Sequence, residues 1–221
     1  MSFFSNILDA VNDNLISGDA YYLIAKALIV TVAVTLVAWA IAFGLGALIS
    51  YVGSYEKKIV SRIGRFFSFL FRSTPVLLAV LLFFYVFKGG SQTKGIIICG
   101  LAIGLFGAGH LSEILIGAVR EEQSKLTQGT RDKLEKVYFS TVLPQALEDS
   151  IFHVKRIMIL MFQWTTVAGY ISVNDLAEVM MGIGQRTMYP FFSIAFSILV
   201  YLVVTIVIEL IYRAIVKKIK K

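Results

Sequence analysis

A few polar groups set inside long apolar runs carry what chemistry this chain offers. Arg72-Ser73-Thr74-Pro75 opens one such run. An arginine at the centre of a bilayer costs at least ~2.5 kcal/mol, so Arg72 belongs near an interface or against a cavity. Pro75 withdraws one backbone hydrogen bond and frees a carbonyl that Ser73 or Thr74 can satisfy. The block reads either as a broken helix end lining a passage or as an interfacial arginine with a proline at the first helical position. Glu113 follows His110 at the i, i+3 spacing that puts both on one helix face. With His153 the only other histidine, this pair points to a polar contact rather than a metal site. Gln163-Trp164-Thr165-Thr166 places polar groups in another apolar run, where they should face other helices or a water-filled path.

Other chemistries lack their residues. Gly89-Gly90-Ser91-Gln92-Thr93-Lys94-Gly95 does not have the order of a phosphate-binding loop. There is no G-x-S-x-G, H-E-x-x-H or paired-cysteine element. Cys99, alone in an apolar stretch, forms no intramolecular disulfide and reads as a packing residue. Any energy for transport must come from a partner or an ion gradient.

The elements that hold these groups follow from composition. Of 221 residues, 57% are hydrophobic and 16% charged, with a mean hydropathy of +0.79. A soluble domain is nearer half apolar and a quarter charged, so bilayer is the natural solvent. The net charge of +7 is clustered beside apolar runs, which argues for membrane lipid and against nucleic acid. Residues 27–55, 73–87, 95–112, 157–174 and 187–208 carry no charge. Four of these runs reach the roughly 18 residues of a spanning candidate, and the second does so once 66–71 is added. Five spans are expected, at about 22–51, 66–88, 95–118, 153–173 and 189–212. Gly100-x-x-x-Gly104, with Gly107 and Gly109, gives the third a small-residue surface for close helix contact.

Basic residues set the expected orientation. Lys57, Lys58, Arg62, Arg65, the segment from Arg120 to Arg156 and the tail from Arg213 fall on one side. Lys26, Lys88, Lys94 and Arg186 fall on the other, beside Asp9, Asp13, Asp19, Asp175 and Glu178. The N-terminus is therefore expected outside and the C-terminus in the cytoplasm. The acidic start inverts the basic region of a signal peptide, so the first span is expected to be retained. The organisation is an extracytoplasmic segment 1–20, one transmembrane domain 21–215 and a basic tail 216–221. A long cytoplasmic excursion, 119–152, reads as helix, break at Gly129, and a second helix ended by Pro144. A structured loop of this length suggests a docking surface; the bland alternative is a solvated connector.

Four blocks resemble the membrane-spanning subunits of polar amino-acid ABC importers, which are binding-protein-dependent permeases of the cytoplasmic membrane. Arg72-Ser73-Thr74-Pro75-Val76-Leu77 is similar to that family's R-G-T-P block. The stretch from His110 to Ala118 resembles its Y-x-A-E-I-x-R-G-G/A block. Leu143-Pro144-Gln145-Ala146 matches the L-P-Q-A closing its E-A-A loop, and Arg186-Thr187-Met188-Tyr189-Pro190-Phe191 resembles its R-T-F-x-P-F. The chain departs at the loop, where Glu122-Gln123, Lys125-Leu126-Thr127 and Arg131 stand for Gly-Gln, E-A-A and glycine.

The resemblance implies an all-α membrane protein of type I ABC importer permease-like fold, without its own ATPase, translocating amino acids or similar small polar solutes. It implies ABC ATPase subunits holding ATP and Mg, a homo- or heterodimeric permease partner and an extracytoplasmic solute-binding protein, with no cofactor on this chain. The coupling residues it implies are Gln123, Arg131, Tyr138, Leu143, Pro144, Gln145 and Ala146, with Tyr138 and Leu143 as apolar contacts. The expected path residues are Arg72, Thr74, Glu113, Gln163 and Thr165. An ion-coupled secondary transporter or channel is the rival reading. It would call for more intramembrane carboxylates or an inverted repeat.

Overall fold

The computed structural model describes residues 10–125 and 138–219. A π-helical turn at Asn12–Ile16 and a 3-10 turn at Ser17–Asp19 lead into α1, Ala20–Gly53. Then come α2 (Lys58–Ser73), α3 (Val76–Val86) and α4 (Gln92–Lys125). After a π-helical turn at Tyr138–Val142 follow α5 (Leu143–Asp149) and α6 (Ile151–Gln163), the latter continued by a 3-10 stretch, Trp164–Ile171. Helices α7 (Leu176–Thr187) and α8 (Pro190–Ile219) complete the described chain. Among the described residues, α1, α4 and α8 are each long and apolar enough to cross a membrane, and two bent pairs bring the spans to five.

The core is the contact of α1 with α4. Each has 34 residues, about 50 Å of helix, and the glycines predicted to make a contact face do so. A Cβ on Gly104 would lie 2.7 Å from Ile41 Cβ and 3.0 Å from Ala38 O, and one on Gly100 would strike Val37. Close backbone approach replaces the hydrophobic drive that lipid cannot supply. Two threonines of α1 bond back along the helix: Thr31 Oγ1 donates to Ala27 O at 3.1 Å and Thr35 Oγ1 to Thr31 O at 2.8 Å. Cys99 is fully buried in this core, as the sequence suggested.

Two expected spans are not single helices. The span placed at 66–88 is α2 and α3, bent by 97°. Thr74 and Pro75 are extended, with ψ of 124° at both, because the residue before a proline is pushed out of the helical region. Thr74 Oγ1 donates to Leu70 O at 2.7 Å, capping a carbonyl that the break exposes. The span placed at 153–173 winds into the 3-10 stretch, stops at Ser172 with φ of 59°, and restarts as α7, bent by 55°. Residues 176–187 are thus helix rather than connection.

The excursion differs in one respect from its sequence reading. Pro144 lies in the first turn of α5, where its missing N–H and fixed φ suit a helix start. It begins a helix rather than ending one, and the turn back towards the bundle falls at Ser150, which separates α5 from α6. The expected break at Gly129 lies outside the described residues. The tail placed at 216–221 continues α8 as far as Ile219.

Contacts sort the connections to two ends of α1. At one end Thr187 Oγ1 and Ser193 Oγ both donate to buried Asn14 Oδ1, at 2.9 and 2.7 Å. Asn174 N donates to Gln92 Oε1 at 3.2 Å, joining the other two connections predicted to share a side. At the far end of α1, Ser61 Oγ donates to Gly53 O at 2.6 Å, and Tyr51 packs on Tyr138 with ring centroids 5.0 Å apart.

Candidate transport site and coupling surface

The break between α2 and α3 is held against α4 by a close approach. A Cβ on Gly109 would lie 2.5 Å from Arg72 N, and Ser68 Oγ donates to Gly109 O at 3.0 Å. This contact brings the Arg72 guanidinium onto Glu113 Oε1, in a hydrogen-bonded ion pair. The pair remains open, with side-chain exposures of 34% and 49%. His110, one turn before Glu113, packs its ring on Phe106 at 4.6 Å. The i, i+3 spacing thus marks a polar face whose partner is Arg72 on another helix.

A second group of polar side chains, set in a mainly apolar surface, lies where α6 and α7 meet α8. A cleft of about 420 Å³ is lined by Gln163, Thr166, Ser197, Tyr201 and Thr205 among apolar neighbours such as Met181 and Ile198. Behind it runs a buried chain of hydrogen bonds. Thr165 Oγ1 donates to Phe162 O at 2.7 Å and lies 3.3 Å from the Tyr201 hydroxyl. That hydroxyl donates to Asp175 Oδ2 at 3.4 Å. Asp175 is fully buried and caps α7, accepting from Glu178 N at 3.1 Å and Ala177 N at 3.3 Å. Leu176 N donates to Thr31 Oγ1 on α1 at 2.9 Å. A helix N-terminus with a carboxylate at its cap is a matched pair of partial and full charges.

The five expected path residues therefore occupy three places. Gln163 lines the cleft between α6, α7 and α8, and Thr165 is buried behind it. Thr74 lines a different, apolar cleft of about 360 Å³ with Leu70, Pro75 and Val76. Arg72 and Glu113 hold one another. Sequence reasoning missed Asp175, Tyr201 and Ser197. Asp175-Leu176-Ala177-Glu178 carries the signal of a helix start, an N-cap residue followed three places later by glutamate. Tyr201 and Ser197 are four apart and share one face of α8.

Of the expected coupling residues, Gln123 and Arg131 lie outside the residues whose side chains are described. Tyr138 is fully buried against Tyr51, Leu111 and Leu115, and burial pushes its phenol up to about 12. It anchors the excursion to the bundle and offers a partner no exposed surface, contrary to its reading as an apolar contact. Leu143 is half-buried and Ala146 buried, while Pro144 and Gln145 are exposed. The exposed aromatic at this surface is Phe139, 51% accessible, and Tyr138-Phe139 alternation gave no hint of which ring turns inward.

Three unbroken spans, two broken ones with polar groups at the breaks, and a partly exposed ion pair define a helical membrane-transport subunit. The family described as "Binding-protein-dependent transport system inner membrane component" matches residues 42–221, and the chain belongs to it. The chain is also 26% identical over 161 residues to the histidine/lysine/arginine/ornithine transport system permease protein HisM of Escherichia coli K12, covering 66% of this chain and 68% of that one. It is equally similar to HisM of Salmonella typhimurium LT2. A solved structure described as an amino acid ABC transporter with histidines superposes with a TM-score of 0.66 at 17% identity, covering 90% of this chain and 94% of that chain. The resemblance read from the four blocks is borne out, as is the all-α, multi-pass permease fold. The protein is a multi-pass component of the inner membrane.

Proposed function

We propose that this chain is the permease of an ATP-driven importer that carries amino acids or similar small polar solutes across the inner membrane. The observation that carries the reading is the cleft between α6, α7 and α8, a mainly apolar surface with five polar side chains set into it. It sets Gln163, Thr166, Ser197, Tyr201 and Thr205 at membrane depth beside a broken span. Such groups persist where they face water or solute, not lipid. The names of the relatives, basic amino-acid permeases and an amino acid transporter, favour a solute with ammonium and carboxylate groups.

In this reading the N-terminus lies outside and the C-terminus in the cytoplasm. ABC ATPases dock on the exposed part of the excursion, around Phe139, Pro144 and Gln145. A second permease, identical or paralogous, completes the path, and a binding protein delivers solute from outside. Closure of the ATPases on ATP and Mg pushes α5, and α5 is tied through Tyr138 to α1 and α4. The bundle then shifts between inward- and outward-facing states, an equilibrium biased by both partners.

Uptake of a panel of radiolabelled amino acids by cells carrying Gln163→Ala or Thr165→Val tests this. Gln163→Ala should raise the apparent KM for the transported solute at normal expression. Thr165→Val, behind the cleft wall, should lower the melting temperature and leave selectivity unchanged. Unaltered KM and selectivity in Gln163→Ala would remove the cleft from the path.

A further inference from the structure

The turn joining α1 to α2 encloses a polar pocket of about 520 Å³, unlike either cleft described above. Its walls include Lys58, Arg62 and Arg65 of α2 and Arg120 of α4, against a single carboxylate, Glu56. The spacing 58, 62, 65 puts three cations on one helical stripe. Two contacts aim that stripe. Ser61 Oγ bonds Gly53 O at 2.6 Å, and Gly64 lies so near Gly53 that a Cβ would meet its nitrogen at 2.3 Å. With that face closed on α1, the basic stripe turns to the pocket and meets Arg120. Arg65 donates to Ser61 Oγ at 3.0 Å. Among the described residues none of the four cations has a carboxylate within ion-pair distance.

The next stripe of the same helix is apolar and exposed. Ile59, Ile63, Phe66 and Leu70 are 75%, 49%, 58% and 41% accessible. Helix α2, bent 97° from α3, carries its basic and apolar stripes side by side. Helices of that pattern lie at the boundary of headgroups and acyl chains. A concave cluster of like charge focuses an attractive field on an anion, and basic pockets between helices accept lipid headgroups.

We propose that this pocket binds one anionic phospholipid, with its phosphodiester between Arg62, Arg65 and Arg120 and its acyl chains over Ile59, Ile63 and Phe66. Inorganic phosphate would answer the charge and leave the apolar stripe in water. An acidic protein surface would do the same. One amphipathic anion matches both stripes. The site is independent of which solute the permease carries.

The test uses the full-length chain in detergent, titrated with phosphatidylglycerol or with phosphatidylcholine of the same acyl chains, while its thermal unfolding is followed. Phosphatidylglycerol should raise the melting temperature by several degrees more than phosphatidylcholine. Native mass spectrometry should show it retained on the wild-type chain. In Arg62→Gln/Arg120→Gln the apparent affinity for phosphatidylglycerol should fall about tenfold or more, each lost cation weakening the attraction near the membrane surface. Phosphatidylcholine should act on wild type and variant alike. Should that variant not fold, Glu56→Gln takes its place, and there phosphatidylglycerol should bind more tightly. Equal shifts with the two lipids, an unchanged preference in either variant, or the full shift produced by millimolar inorganic phosphate alone would each overturn the proposal.

Discussion

Helices α4 and α8 belong to one bundle and place their apolar surface in opposite ways. Of the most apolar stretch of α4, 67% is buried within the chain; of that of α8, 6%. The difference follows from side-chain size. Helix α4 presents Gly100, Gly104, Gly107 and Gly109, so neighbouring backbones approach closely and many weak contacts accumulate. Helix α8 has no glycine; it meets α7 through Phe196 and Val200 and its other neighbours at a few polar points. Ser193 Oγ bonds Asn14, and Tyr201 reaches Thr165 and Asp175. Lys155 Nζ pairs with Glu209 at 3.0 Å, and the Tyr212 hydroxyl donates to Ile151 O. Lipid solvates an apolar side chain as well as a protein core does, so α8 loses nothing by standing outside. What it gains is a cleft along its inner face. The bundle has a tightly packed axis and an outer helix seated by one apolar patch on α7 and separate polar contacts, and the cleft lies at that looser seam.

The sharpest way to break this contrast is to overfill the axis. Gly104→Leu must displace Ile41 and the Ala38 carbonyl, and overpacking of this kind costs about 1–3 kcal/mol or more. The permease should lose thermal stability in detergent, and an unmoved melting curve would mean that the α1–α4 contact is not the core. A smaller effect is expected at the seam. Asp175→Ala removes the cap of α7 and a partner of Tyr201, at a cost of about 1–2 kcal/mol; limited proteolysis should find α7 more readily cut while α4 stays protected. Equal protection of both would erase the distinction between axis and seam. Least of all should come from Lys155→Met, which breaks a partly exposed pair worth about 0–1 kcal/mol and sensitive to salt. A loss as large as that of Gly104→Leu would show that ion pairs, not packing, hold the bundle.

The spans were legible because charge-free runs leave few alternatives, and the glycine face because small residues four apart have one use in lipid. Breaks were harder. Pro75 announced the first, yet nothing in 66–88 fixes a bend of 97°; that angle comes from Ser68 and Gly109 meeting across 41 positions. The second break carries no proline and is read only from the capping pattern at Asp175. In the sequence Lys58, Arg62 and Arg65 read only as charge bearing on the expected orientation, while the pocket they line depends on Gly53 and Gly64 closing the opposite face. Tyr138 and Phe139 show the same limit: adjacent aromatics that both meet Tyr51, one half-exposed and one fully buried in the cluster of Leu111 and Leu115.

Affinity purification of the chain in mild detergent, followed by mass spectrometry of what comes with it, bears most directly on the proposed role as an ATP-driven permease. An ABC ATPase should co-purify in stoichiometric amount with the wild type. It should be lost from Phe139→Asp, while the variant still inserts and unfolds in a cooperative thermal transition. A wild-type chain that purifies without an ATPase and drives solute uptake into vesicles on an ion gradient alone would contradict that role.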